Sequence, residues 1–261
     1  MAIGISMVML SDGEPLDDRA LSSFLRDNYP DLPASGATET RGSTLSFRLG
    51  QADVILGNMS APIPWLDLEG PCSTSILWRK SATEVRAHRR HIIVTVSANA
   101  DPLELSRLLT QVTAAVLSAC PNAIGVYWGN ATLVVPKALF IEFAAKILPK
   151  GPPVHIWVDA RVGRQSEKEV AGFTTGLDAL GHMELETLSS PEEPGALRER
   201  LYLIADYLLT SGRTIADGDT IGEDAGEKIR IIYSDSAFGV KTKVMRLVYE
   251  KPSAKSKWKL W

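Results

Sequence analysis

The stretch HIIVTVSANADPLELSRLLTQVTAAVLSACPNAIGVYWGN, residues 91–130, carries a strand, a helix and a second strand in one run. HIIVTVSA is rich in β-branched residues and is closed by Asn99, Asp101 and Pro102, which stop a strand and start a helix. In PLELSRLLTQVTAAVLSAC, Leu105, Leu108, Leu109, Val112, Val116 and Leu117 recur at the strongest helical period in the chain. AIGVYWGN then returns to strand character, and Gly129 and Asn130 turn it into TLVVP, which predicts a hairpin. Strand alternation sends Tyr127 and Trp128 to opposite faces. One ring is expected in the core and the other against a helix, the crossover or a partner.

Working outward, ISMVML (5–10) reads as a buried strand and LDDRALSSFLRDNY as an amphipathic helix with acids in its first turn. TLSFRLG and ADVILGNM, broken at Gly50 and Gln51, read as a hairpin with Leu45, Phe47 and Leu49 inward. Residues 61–84, rich in proline and without a clean period, read as an irregular crossover over the sheet. The first half is thus strand, helix, two strands, crossover, strand, helix, strand, a split βαβ order.

The second half offers comparable material. KALFIEFAAKIL reads as a helix, VHIWVDARVG, residues 170–177 and MELETL as strands, LRERLYLIADYLLTSG as a helix ended by Gly212, and KIRIIYS with KVMRLVY as a closing antiparallel pair. The expected fold is α+β, with two ferredoxin-like (split βαβ) halves, mixed and mainly antiparallel sheets, and helices on one face of each. The boundaries are 1–150 for the first half, 151–250 for the second, closely packed on it, and 251–261 for a basic, aromatic tail.

The totals narrow the functional classes. In 261 residues, 45% are hydrophobic and 23% charged, as in ordinary globular chains, so neither disorder nor a disulfide scaffold is indicated. Cys72 and Cys120 show no ligand spacing and read as buried thiols in a reducing, cytoplasmic setting. No signal peptide or membrane-spanning run is seen. A net charge of -3 gives no electrostatic reason to seek nucleic acid. The exception is the end of the chain, where residues 241–261 hold seven Lys or Arg against one acid, with Trp258 and Trp261 among the lysines. A solvated terminus is the plainer meaning of that tail.

Phosphate-binding loops and the GxSxG elbow are absent from the sequence. His88 and His91 in AHRRHIIV sit where a strand begins, so their rings diverge; a basic strand entrance at a sheet edge, or one gripping a carboxylate, is expected rather than zinc. His155 and His182 read as satisfied polar groups at strand starts. ADGDTIGEDAGE opens like a calcium loop at Asp217, Asp219 and Gly222 but fails at Ile221 and Lys228, leaving a glycine-rich turn with solvated acids. Glu184 and Glu186 share one strand face, which reads as solvent-facing. No catalytic residue, metal or cofactor is assigned.

GVYWGNATLVV, WVDARVG, FTTGLDALGHMELE and ADYLLTSGRTIADGDTIG resemble the bacterial family catalogued as domain of unknown function 4261. IPWLDLEGPC and AHRRHIIVTV extend the resemblance over nearly the whole chain, though not to the WKLW tail. It implies a soluble bacterial protein from contact-dependent or type VI secretion gene neighbourhoods. It carries over no reaction, cofactor or site residue.

The first functional expectation is a non-catalytic protein-binding module, an immunity or adaptor protein linked to a toxin or a type VI secretion component. Tyr127, Trp128, Trp157, Asp217, Asp219 and Glu223 are the candidate binding residues. One alternative is a metal-dependent hydrolase using Asp217, Asp219, Glu223 and His182. The other is a small-ligand sensor in which Tyr127, Trp128 and Trp157 line a pocket between the halves.

Overall fold

The structure is a computed structural model that describes residues 1–12, 16–32, 34–167, 169–222 and 228–249, without the side chains of 34–38. Glu223 and the tail 251–261 lie outside the described residues. The fold is α+β and forms two compact units. The first comprises Met1–Asp159, Thr175–His182 and Ile204–Gly212; the second comprises Ala160–Thr174, Met183–Leu203 and the described residues from Arg213 onward.

In the first unit the order is β1 (Ala2–Leu10), α1 (Asp18–Asn28), β2 (Ala34–Arg41), β3 (Thr44–Leu49), β4 (Ala52–Met59), α2 (Trp65–Thr74) and α3 (Ser81–Glu84). There follow β5 (Arg90–Ala98), α4 (Pro102–Ala119), β6 (Ala123–Trp128), β7 (Leu133–Pro136), α5 (Lys137–Lys146) and α6 (Val154–Trp157). Seven strands form one antiparallel sheet, β2-β3-β4-β5-β1-β6-β7.

Alternation in the strands decides what each face meets. Val8, Val54, Leu56, Ile92, Val94 and Val96 are buried on one face, where α4 packs on β1 and β5, and α1 packs on α4. Ser6 of β1 and Thr113 of α4 hydrogen-bond there at 2.7 Å. Asp101 caps α4 by accepting from Glu104 N–H at 2.9 Å, as its position before Pro102 predicts. The opposite face is covered at one end by the crossover, where Met9, Ile63, Leu68, Cys72, Trp78, Val85 and Val134 form a core with half-buried Tyr127 and Trp65. That crossover holds the short helices α2 and α3 rather than irregular chain; Pro71 inside α2 and the lack of an apolar period hide it from sequence reading.

β6 and β7 form the expected hairpin, with Tyr127 opposite Val134 and Trp128 opposite Leu133. Its turn spans four residues and ends on Thr132 with φ +50°. The strand expected over VHIWVDARVG begins only at Asp159: Val154–Trp157 makes one helical turn after Pro152 and Pro153, with Val158 N–H donating to Val154 O at 2.8 Å.

The second unit's sheet uses β8 (Asp159–Arg164), β9 (Val170–Thr175), β10 (Leu185–Ser190), β11 (Thr220–Ile221), β12 (Ile229–Asp235) and β13 (Lys243–Tyr249) in the order β11-β12-β13-β10-β9-β8. β10 and β13 run parallel while β12 and β13 are the expected antiparallel pair, so the sheet is mixed and its order differs from that of the first. Between β10 and β11 lies α7 (Pro194–Ser211), followed by Gly212 at φ +62° in the cap position its sequence indicates. In this unit Leu197 of α7 meets Gly172 of β9.

Candidate functional site

The aromatic candidates are packing residues of the first unit. Trp128 is 2% exposed, with its ring centroid 5.9 Å from that of Phe140 on α5. Trp157 is also 2% exposed, and its Nε1–H donates to Thr110 Oγ1 at 2.8 Å, satisfying the one polar atom of the indole. Neither ring presents a face to a ligand. Tyr127 points the other way, half-buried on the crossover core. The two neighbouring rings therefore occupy opposite faces, as alternation requires.

In the acidic loop both described carboxylates hold backbone. Asp217 Oδ1 accepts from Tyr233 N–H at 2.8 Å, and Asp219 Oδ2 accepts from Ala216 N–H at 2.7 Å. Gly218 N–H donates to Ile231 O at 2.9 Å, and Ile231 N–H donates to Asp219 O at 2.8 Å, which ties the turn to β12. Glu223 lies outside the described residues. Among the described residues no group of three or more His, Cys, Asp or Glu is placed to hold a metal ion.

The histidines of AHRRH correct a sequence expectation. Among the described residues they stand neither at a sheet edge nor against a carboxylate, because β5 is interior to the sheet and the crossover folds back over its start. His88 is 3% exposed; its Nε2 accepts from Ile63 N–H at 2.8 Å and its Nδ1–H donates to Val85 O. His91 Nδ1 pairs with Ala61 O at 2.8 Å. Both rings thus fasten residues 61–63 to the sheet. Burial holds the His88 pKa below the usual value, and the same cause lowers His155 and His182. His155 sits in α6 and His182 in the loop before β10, not at strand starts.

Glu184 and Glu186 overturn a second expectation, since both are buried rather than solvent-facing. Glu184 accepts from Thr174 Oγ1 at 2.7 Å, and the same oxygen of Thr174 accepts from Leu185 N–H at 2.8 Å. Glu186 accepts from the Ser236 hydroxyl, from Ala237 N–H at 3.1 Å and from Arg246 Nη2 at 3.5 Å. Phe238 of the same β12–β13 loop stacks on Phe173 at 4.7 Å. The loop is latched over the sheet face, and the carboxylate is its anchor.

The feature that sequence reading missed is an apolar sheet face in the first unit. Ile3 and Ile5 of β1 are 63% and 43% exposed, and Ile55 of β4 is 44% exposed. Register puts Ile5 and Ile55 on either side of Thr95, and Met7 beside Ile93, so these residues share one face. Arg48 and Asp53 pair at 3.2 Å on its rim. A signal was present: β1 is apolar on both faces, as in a strand covered twice. Only its Met7–Met9 end meets the crossover core.

Comparison with known proteins adds one assignment. No curated protein and no solved structure matches the chain. One family matches residues 173–248, a narrower span than the resemblance read from the sequence, with the GVYWG and AHRRH segments outside it. The span runs from Phe173 in β9 to Val248 in β13 and contains the Glu186 latch. Over those residues the chain is similar to the family described as Domain of unknown function (DUF4261).

Proposed function

We propose that the protein is a non-catalytic protein-binding module whose docking surface is the open face of the first sheet. The observation that carries this reading is the exposure of Ile3, Ile5 and Ile55 on one face, contiguous with Met7 and Ile93 and rimmed by the Arg48–Asp53 pair. An apolar centre with a polar rim is the anatomy of a docking surface. An immunity or adaptor role fits it, because such a protein acts by covering a partner's surface and needs a face rather than a reacting group. The acidic loop favours a metal-dependent hydrolase less, since Asp217 and Asp219 already accept backbone N–H groups.

The test uses the products of the adjacent genes as candidate partners, with binding measured by calorimetry. The double variant Ile5→Glu/Ile55→Glu is expected to weaken binding at least about tenfold, equivalent to about 1.4 kcal/mol, while its circular dichroism stays that of the parent. Undiminished binding by the folded double variant would move the docking surface elsewhere.

A further inference from the structure

In the first unit a cavity of about 170 Å³ opens between the start of α1 and the β2–β3 hairpin. Its floor is apolar, made by Leu45, Leu56 and Ile92 on neighbouring strands, and its polar lining includes Asp18, Asn58 and Ser43. We propose that this cavity binds a small apolar amine, about one aromatic ring in size, with Asp18 as the counter-ion of its ammonium group.

Size sets the first limit. Apolar cavities near 150 Å³ admit a benzene-sized ligand, so the floor suits a single ring or a short branched chain. Charge sets the second. Asp17 caps α1 by accepting from Arg19 N–H at 2.9 Å and Ala20 N–H at 3.0 Å, which leaves the neighbouring Asp18 free of that duty. The Asp18 carboxylate, exposed in the first turn of α1, has no hydrogen-bond or ion-pair partner among the described residues, which leaves its oxygens open to a cation.

Asn58 supplies the orientation. Its N–H donates to Ser43 O at 2.8 Å and its Oδ1 accepts from Arg90 Nη2 at 3.1 Å, which fixes the amide and leaves its Nδ2 without a partner among the described residues. A ring-bearing amine with a hydroxyl or ether oxygen would use that donor. Asp18 and Thr40 also border a groove carrying Arg19, Ser22, Ser23 and Arg26, where an anion would have to bind. Arg26 is already engaged by Asp27 at 3.5 Å and Ser23 at 3.2 Å. The charged group in the cavity lining is the Asp18 carboxylate, which repels an anion.

Calorimetry on the full chain with phenethylamine, phenylacetate and benzyl alcohol tests the proposal. Phenethylamine is expected to bind saturably below about 10 mM and at least about tenfold more tightly than the other two, a difference of about 1.4 kcal/mol. Asp18→Asn should remove that preference. Ser43→Trp, an exposed position that would plug the mouth, should abolish binding while circular dichroism is unchanged. Absence of saturable phenethylamine binding, an equal or stronger response to phenylacetate, or full binding by the folded Asp18→Asn variant would each overturn it.

Discussion

At position 125 a Cβ would lie 2.5 Å from the Trp78 ring and 2.5 Å from the Val135 carbonyl oxygen, distances that no real methyl group tolerates. The glycine therefore lets the Trp78 indole approach β6 closely, and the indole N–H is satisfied by Glu84 Oε2 at 2.6 Å. Gly125→Ala is expected to cost about 1–3 kcal/mol through overpacking against backbone, read as a lower midpoint in a urea titration with unchanged slope. A midpoint within error of the parent would mean that Trp78 is free to move. Sequence gives the hairpin and the alternation of Tyr127 and Trp128, because both are local. It gives no reason for Gly125, because Trp78 reaches it from the crossover, a segment distant in sequence.

The elements that sequence identifies best are those whose neighbours do not decide their pattern. α1, α4 and α7 follow from apolar spacing and caps, and the β3–β4 and β12–β13 pairs follow from alternation between turns. β2 escapes because ASGATETR has no apolar alternation; it is held by its ladder to β3. β10 misleads for another reason. Two glutamates on one strand face imply water, yet both are buried: Glu184 accepts from Thr174, and the β12–β13 loop converts Glu186 into an internal acceptor. Glu186→Ala is expected to lower stability by about 3 kcal/mol, since it leaves the Arg246 guanidinium, whose Nε already lacks a partner among the described residues, without its carboxylate. The amides of Ala237 and Phe238 should then exchange with solvent faster than those of β13. Unaltered exchange at these two amides would show that the Phe173–Phe238 stack alone holds the loop.

For the whole molecule, the class was legible and the partition was not. Periodicity identifies enough of the helices and strands to give α+β, but the chain returns to the first unit at Thr175–His182 and again at Ile204–Gly212, and no local signal marks such returns. Acid stability is likewise a property summed over distant residues. Burial lowers the pKa of His88, His155 and His182, and for His155 it outweighs the opposing pull of Asp206. The unfolded rings titrate near pH 6.5, about the ordinary value. Between that pH and the lowered native values the unfolded chain binds more protons than the folded one, so stability must rise with pH across this window and level off above it. His88 gives the structural cause: protonating Nε2 would set an N–H against the Ile63 N–H that it now accepts. Melting temperature should accordingly be steady from about pH 8 to 7 and fall from about pH 6.5 to 5. Replacing the half-buried His182 with Asn should shallow that slope while leaving the His88 bonds intact. A melting temperature flat from pH 7 to 5, or one that rises on acidification, would show that the three rings are not held neutral by the fold.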